Sequence, residues 1–138
     1  MENVIIFTNE RGGVSVCVPT GELPIEQVQS KDIPSGVQSY IVSTDSLPQD
    51  ANDFFDAWEQ SDGVVTVNLD KAREVTKCRL RFERETLLAA QDVAFQRALE
   101  TGADTSAIVA EKQRLRDVTK LADGATTLDE LRTLKAAR

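Results

Sequence analysis

The sequence predicts an α+β fold: a small N-terminal antiparallel β unit, then a long αα-hairpin and a short C-terminal helix. Residues 1–67 contain short β-branched runs separated by turn-forming residues, whereas residues 68–101 contain neither glycine nor proline and are rich in helix formers. The charge changes at the same place, from eleven acids and two bases in residues 1–67 to twelve acids and fourteen bases in residues 68–138. We therefore expect two domains: an acidic β-rich unit over 1–67 and a helical hairpin with a terminal helix over 68–138.

The β unit is predicted to begin with a hairpin over residues 1–18. The run NVIIFT is β-branched and apolar, NERGG has the composition of a tight turn, and VSVCV alternates. Gly12 and Gly13 can supply the positive φ angles that such turns need. A short helix is expected over residues 24–30, and further strands at QSYIVS (residues 38–43) and at VVTVNL, which follows the turn Asp62-Gly63.

An acidic segment before the last strand contains three of the chain's seven aromatic residues, Phe54, Phe55 and Trp58. Their spacing is that of neighbours on one face of a helical turn. Two interpretations follow from this. The turn can cap the small β core, or the aromatic side chains can anchor a protein partner, in which case Trp58 is the expected centre of the contact.

A helix of about 33 residues, roughly 50 Å long, is expected to begin after Asn68 as N-cap and to stop at Gly102, unless it is broken near RETLLAA. The apolar positions along it do not keep one 3.5-residue register, so a sustained parallel coiled coil is not expected. These positions are Val75, Cys78, Phe82, Ala89 and Phe95.

A second helix is expected to begin after Thr105 as N-cap and to end at Asp123-Gly124. The short link between the two helices is typical of an antiparallel αα-hairpin. Thr127 followed by Glu130 fits a capping box, which predicts a short C-terminal helix. The apolar face of that helix is expected to consist of Leu128, Leu131 and Leu134.

Basic residues cluster in the sequence KCRLRFER, where Lys77, Arg81 and Arg84 share one face of the predicted helix. Such a cluster can bind phosphates. The interleaved Glu74 and Glu83, together with the acidic first domain, disfavour nucleic acid as a partner. We favour ion pairs within the helix, or pairing with an acidic protein.

The sequence lacks the residue types and motifs that catalysis commonly uses. It has no histidine, no phosphate-binding glycine loop and no nucleophile motif, so we expect neither an enzyme nor a bound metal or cofactor. Cys17 and Cys78 lack the paired spacing of a zinc site and are interpreted as small apolar residues. The longest apolar runs are about four residues, against roughly 20 for a membrane span, so we expect a cytoplasmic protein that does not contact a membrane.

Four short motifs lie between residues 53 and 120, about half of the chain. They are Ala57-Trp58, Asp62-Gly63, Lys71-Ala72-Arg73, and Lys112-Gln113 with Leu115-Arg116-Asp117. Together they resemble the C-terminal region of phage tail assembly and tail-fibre assembly proteins. The resemblance implies a late phage protein, made in the cytoplasm of the bacterial host, that helps a tail or tail-fibre structural protein to fold, trimerise or attach.

The expected function is therefore binding of a phage structural protein, with or without formation of a homo-oligomer. One alternative is that the protein remains in the mature virion as a minor component of the tail, connector or capsid surface. The long helix favours this alternative because such helices often pack into symmetric assemblies. Another is a regulatory or host-binding phage protein whose acidic domain mimics nucleic acid. The residues expected to bind the partner are Phe54, Phe55, Trp58, Arg81, Leu115 and Arg116.

Overall fold

The computed structural model describes residues 2–138 and has the predicted α+β fold. Helices of all kinds account for 57% of the chain and strands for 17%, and every strand precedes the long helix. The chain forms two compact units, one ending at Ala72 and the other comprising Arg73–Arg138. The division lies four residues inside the long helix, whereas the sequence pattern suggested a boundary between residues 67 and 68.

The first unit contains a three-stranded antiparallel sheet in the order β2-β1-β3, a two-stranded antiparallel pair β4-β5, and one α-helix. In the larger sheet, Ile6 on the central strand lies opposite Val16 on one neighbour and Tyr40 on the other. Four of the five strands agree with the predicted ones, although β2 ends one residue early and leaves Val18 exposed; β4 was not predicted, because Trp58 was expected on a helical turn. The elements are β1 Asn3–Thr8, β2 Val14–Cys17, α1 Ile25–Asp32, β3 Ser39–Ser43, β4 Trp58–Ser61 and β5 Val64–Val67.

The core of the first unit forms between the sheet and the β4-β5 pair. Alternation along β1 directs Val4 and Ile6 to this side, where they cluster with Trp58 and Val65. The Asp62-Gly63 turn joins β4 to β5. Its two residues have φ angles of 51° and 84°, which is the left-handed geometry of a two-residue hairpin turn. This turn therefore forms as predicted and positions Val65 in the core.

The β1-β2 turn uses only one of its two glycines in the predicted way. Gly12 has a φ of 82°, but Gly13 has no positive φ, so the expectation for Gly13 is wrong. Its amide instead donates to Asn9 Oδ1 at 3.1 Å, and its carbonyl accepts from the Asn9 amide. The turn is therefore closed by one bond to the asparagine side chain, a role common for asparagine in turns, and by one bond between backbone groups.

The second unit is helical. α2 continues through RETLLAA without a break. As predicted, Asn68 Oδ1 accepts from the Lys71 amide at 3.0 Å and caps its start. Gly102, with a φ of 71°, ends it, and the Ala103 amide donates to the Ala98 carbonyl, which is the Schellman arrangement. The helices are α2 Leu69–Thr101, α3 Ser106–Asp117 and α4 Leu128–Thr133, with a 3-10 segment at Val118–Gly124.

The caps of the two later helices follow the sequence only in part. Thr105 does not cap α3 with its side chain, because its backbone is already in the helical region, with φ of −102° and ψ of −1°. Asp104 Oδ1 accepts the Ser106 amide instead. In α4, Thr127 Oγ1 accepts the Glu130 amide as predicted.

The core of the second unit is small and aliphatic. Leu80 on α2, Leu115 and Val118 form its centre together with Ala136, so the C-terminal residues complete the packing. The partly buried Leu87, Leu88 and Leu134 pack against this cluster. Within residues 2–138, none of the helices combines the length and the apolar character needed to cross a bilayer.

Candidate partner-binding surface

Phe54 and Trp58, two of the predicted anchors, belong to the core of the first unit. Their exposed fractions are 4% and 3%, and Trp58 Nε1 donates to the Ala51 carbonyl at 3.0 Å. The segment Gln49–Ala57 is a 3-10 helix with non-helical backbone at Phe54, and Trp58 is extended. The backbone therefore lacks the α-helical geometry that would place these aromatic residues on one face of a helical turn. The structure supports the capping interpretation, and the prediction of Phe54 and Trp58 as exposed anchors is wrong.

Phe55 is the one aromatic of this segment that reaches the surface. It is 40% exposed, and its ring lies 4.9 Å from the Trp58 ring at an angle of 56°. Asp50, Asp53 and Asp56 are exposed on the same 3-10 helix. We call Phe55 and these three residues the acidic aromatic turn. An apolar ring in contact with a buried tryptophan, on the same short helix as three exposed carboxylates, suits a partner with basic groups near an apolar pocket.

The predicted residues of the second unit have different roles. Leu115 is 1% exposed and lies in the core with Leu80, so the prediction that it binds a partner is wrong. It is buried because α3 packs this face against α2. Arg116 is exposed, and its carbonyl accepts from Arg84 Nη1 at 2.9 Å. Arg81 is also exposed, and its Nη1 lies 3.8 Å from Cys78 Sγ.

The basic residues of α2 mainly hold the C-terminal part of the chain. Arg73 Nη2 donates to the Ala125 carbonyl at 2.8 Å, and Arg79 Nη2 to the Leu131 carbonyl at 3.0 Å. The Leu131 carbonyl also accepts a longer bond from the Leu134 amide, at 3.3 Å, and the guanidinium group supplies further donors in a fixed geometry. These contacts were not expected from the sequence, which suggested ion pairs within the helix; Arg79 makes one of these as well, to Glu83 at 2.7 Å.

Lys77 also contacts the C-terminal part of the chain. Its Nζ lies 2.7 Å from Asp123 and 3.4 Å from Glu74. The hydrogen bond to Asp123 is the main reason that the pKa of Lys77 is raised. Of the predicted basic face, Lys77 and Arg84 are therefore engaged within the unit, and Arg81 remains exposed.

The sequence interpretation missed a row of apolar side chains on α2 that is exposed except at the half-buried Val75. Phe82 is 76% exposed and Val93 is 51% exposed. With Val75, Cys78 and Ala89 they form what we call the apolar stripe. The spacing of seven residues from Val75 to Phe82 and from Phe82 to Ala89 was the available signal.

Phe95, another apolar residue of α2, does not follow this seven-residue spacing. It lies elsewhere on α2, where Lys112 Nζ is 5.1 Å from the centre of its ring. Cys78 is exposed and Cys17 is partly buried, and both are free thiols.

An open groove of about 590 Å³ lies in the first unit beside the β1-β2 turn. Its walls include Phe7, Arg11, Pro34 and Val37, which offer mixed polar and apolar contacts without a convergent set of charges. In the part of the chain that the structure describes, no group of three or more cysteine and acidic side chains is placed so that it could hold a metal ion.

Comparisons with known proteins give no relationship for this chain. No protein-family model matches it, and neither a curated protein nor a solved structure is significantly similar.

Proposed function

We propose that this chain works without catalysis, by binding a phage tail or tail-fibre structural protein and assisting its assembly. The sequence resemblance over residues 53–120 suggests the class of partner. The acidic aromatic turn is the structural observation that carries the proposal, because it presents an exposed ring of fixed orientation within a strongly acidic unit. In this role the protein acts in the cytoplasm of the bacterial host.

The geometry of Phe55 supports protein binding. Its ring contacts the buried Trp58, so little side-chain freedom is lost when a partner covers it, and such rigid aromatic groups make efficient contacts. The exposed carboxylates of the same 3-10 helix would direct the encounter with a basic surface and make its rate sensitive to salt. Arg81 and Arg116 are exposed candidates for further contacts.

The residues that carry the resemblance have mostly structural roles here. Ala57, Trp58, Ala72 and Leu115 are buried, and Arg73 holds the Ala125 carbonyl. The resemblance therefore supports a shared architecture more directly than a shared binding surface. For this reason the binding contacts are assigned to exposed residues, first to Phe55 and then to Arg81, which lie outside these motifs, and to Arg116, the exposed member of the last motif.

A second candidate function is that of a minor structural component of the mature virion. The unbroken helix of 33 residues, α2, favours it, because long helices provide extended surfaces for packing within symmetric particles. Both functions require binding to a phage structural protein. They differ in whether the protein remains after assembly.

Mass spectrometry of purified particles beside the infected-cell lysate separates these functions. Several copies per particle would identify a virion component, and abundance in the lysate with absence from particles would identify an assembly factor. Deletion of the gene is expected to leave particles without complete tails. Normal particle yield and normal tails after deletion would contradict both.

The binding surface is tested by two variants of neighbouring exposed residues. Phe55→Ala should reduce co-purification of the tail or fibre protein from infected cells, whereas Asn52→Ala on the same 3-10 helix should leave it unchanged. Equal recovery with both variants would exclude Phe55 as the anchor.

A further inference from the structure

The last part of the chain, residues 125–138, is bound to α2 by side chains that contact its backbone. We call these residues the C-terminal latch. Arg73 Nη2 donates to the Ala125 carbonyl at 2.8 Å, where the latch begins. Arg79 Nη2 donates to the Leu131 carbonyl at 3.0 Å, in the middle of the latch. Both carbonyls are thus held by arginines of one helix, at points spread along the segment.

Ala136 is held from two sides. Its amide donates to Glu83 Oε1 at 3.0 Å, and its carbonyl accepts from Arg114 Nη2 at 3.0 Å. Arg79 pairs with Glu83 on α2, and Glu111 pairs with Arg114 on α3. Two ion pairs, one on each helix, therefore meet at this one fully buried residue.

The apolar packing of the latch is limited. Leu131 and Ala136 are fully buried, Ala125 is nearly so, and Leu134 is half-buried. α4 has six residues, too few to be stable by itself. A segment loses backbone and side-chain freedom at every residue when it becomes ordered, and the burial of so few apolar side chains does not offset that loss. The polar contacts therefore decide whether the latch stays closed.

We propose that the C-terminal latch opens as one unit while α2 and α3 stay folded, and that protonation of Glu83 promotes opening. Segments with few buried apolar side chains open at a lower free energy than the whole domain. Leu80, Leu115 and Val118 cluster with Ala136, so opening exposes part of this apolar cluster. The second unit therefore has an apolar surface that only the open form presents.

Contacts outside the latch keep α2 and α3 together when it opens. Lys112 Nζ of α3 lies 2.7 Å from Asp92 of α2. Arg84 Nη1 of α2 donates to the Arg116 carbonyl of α3 at 2.9 Å. Neither contact involves a latch residue, so the two helices retain links of their own.

Acid favours the open form because of the position of Glu83. The Ala136 amide is the main reason that the pKa of Glu83 lies below its ordinary 4.5, and Arg79 lowers it further. Opening removes the amide, so Glu83 takes up a proton more readily in the open form than in the closed form. The closed form is fully favoured well above pH 4.5 and loses this advantage as pH falls toward the lowered value.

The charged groups on the far side of Ala136 contribute less to the pH effect. Arg138 Nη2 of the latch lies 3.3 Å from Glu111 Oε2. The pKa of Glu111 is lowered first by Arg114, which is on the same helix, and that pairing does not require the latch. Glu83 is therefore the group whose protonation is most directly tied to opening.

Amide hydrogen exchange, measured by NMR from neutral pH to about pH 4, tests the proposal. Exchange is expressed as a protection factor relative to an unstructured chain at the same pH. The amides of Leu131, Leu134 and Ala136 should lose about tenfold or more in protection, whereas amides of α2 near Leu80 should lose about twofold or less. The fluorescence of Trp58, in the other unit, should stay unchanged. Latch protection that persists, or that is lost together with that of α2, would overturn the proposal.

Glu83→Gln separates the charge from the hydrogen bond, because glutamine can still accept from the Ala136 amide but does not titrate. At neutral pH the latch amides of this variant should be less protected than those of wild type, by about threefold to tenfold. Their protection should also become nearly independent of pH down to about pH 4. Glu85→Gln, at an exposed glutamate two residues further along α2, is the matched control and should follow wild type. A wild-type pH response in Glu83→Gln would overturn the role of Glu83.

Discussion

The backbone amide of Ala136 donates a 3.0 Å hydrogen bond to Glu83 Oε1, joining residues that are 53 positions apart. The Ala136 carbonyl in turn accepts from Arg114 Nη2 at 3.0 Å, and Ala136 is fully buried. Both backbone groups of a buried residue are thus satisfied by charged side chains of α2 and α3. The docking of the C-terminal residues depends on these side chains as well as on apolar packing.

Glu83→Ala should destabilise the protein. It leaves the Ala136 amide without its acceptor, and we expect the free energy of unfolding to fall by about 1–2 kcal/mol. Urea denaturation measures the change. Glu85→Ala, at an exposed position two residues further along α2, is the matched control and should stay within about 0.5 kcal/mol of wild type. Equal losses in the two variants would contradict a specific role for Glu83.

Acid should weaken the protein through carboxylates whose pKa is lowered by folding. The Ala136 amide, followed by Arg79, lowers the pKa of Glu83 below its ordinary 4.5, and Arg114 lowers the pKa of Glu111. The unfolded chain therefore takes up protons first as pH falls. The stabilisation is fully present well above pH 4.5 and is lost as pH drops toward the lowered values.

Thermal unfolding across this pH range measures the effect. The melting temperature of wild type should fall as the solution is acidified below the ordinary carboxyl range, and Glu83→Gln should show a smaller fall because one of the titrating groups is absent. If the melting temperatures of wild type and Glu83→Gln fall in parallel with pH, Glu83 has the same pKa in the folded and the unfolded state.

Trp58 and Phe55 should respond differently to truncation, although their rings are in contact. Trp58→Ala removes a buried side chain and should lower the free energy of unfolding by about 3–5 kcal/mol. Phe55→Ala truncates a 40% exposed ring, and we expect a smaller loss of about 1 kcal/mol. Chemical denaturation of both variants measures the difference. A larger loss of stability in Phe55→Ala than in Trp58→Ala would contradict the assignment of Trp58 to the core of the first unit.

Leu115 and Arg116 provide a similar comparison between adjacent positions. Leu115→Ala should cost about 2–5 kcal/mol, since it opens a cavity among Leu80, Val118 and Ala136. In Arg116→Ala the backbone carbonyl that Arg84 contacts is retained, so stability should change by less than about 0.5 kcal/mol. Urea denaturation checks both values, and a stable Leu115→Ala variant would contradict its assignment to the core.

The features that the sequence predicted well are those determined by near neighbours. Asn68 caps α2 through a residue three positions away, and Gly102 ends it through bonds that reach back at most five positions. The alternation of β1 and the Asp62-Gly63 turn are equally local. For this reason the α+β class and most of the element order could be predicted from the sequence, whereas β4, which begins at the buried Trp58, was missed.

Predictions for the binding surface were less successful because burial depends on distant residues. Whether Trp58 faces solvent is decided by Val4 and Ile6, more than fifty positions earlier in the chain. Leu115 is likewise covered by Leu80 from another helix. The stripe on α2 could have been recognised from its spacing, but its exposure depends on which face of the helix the rest of the unit covers.

The long-range bonds from α2 to the C-terminal segment also determine the order of events during synthesis. Arg73 and Arg79 leave the ribosome about fifty residues before the carbonyls that they bind. While the rest of the chain is being made, α2 can form, but its arginines remain in water and its apolar face lacks Val118 and Ala136. The first unit can complete its core much earlier, since the cluster formed by Val4, Ile6, Trp58 and Val65 includes no residue beyond Val67 and the unit itself ends at the buried Ala72. The two units therefore fold at different times during synthesis. The core of the second unit is complete only after Ala136 has left the ribosome.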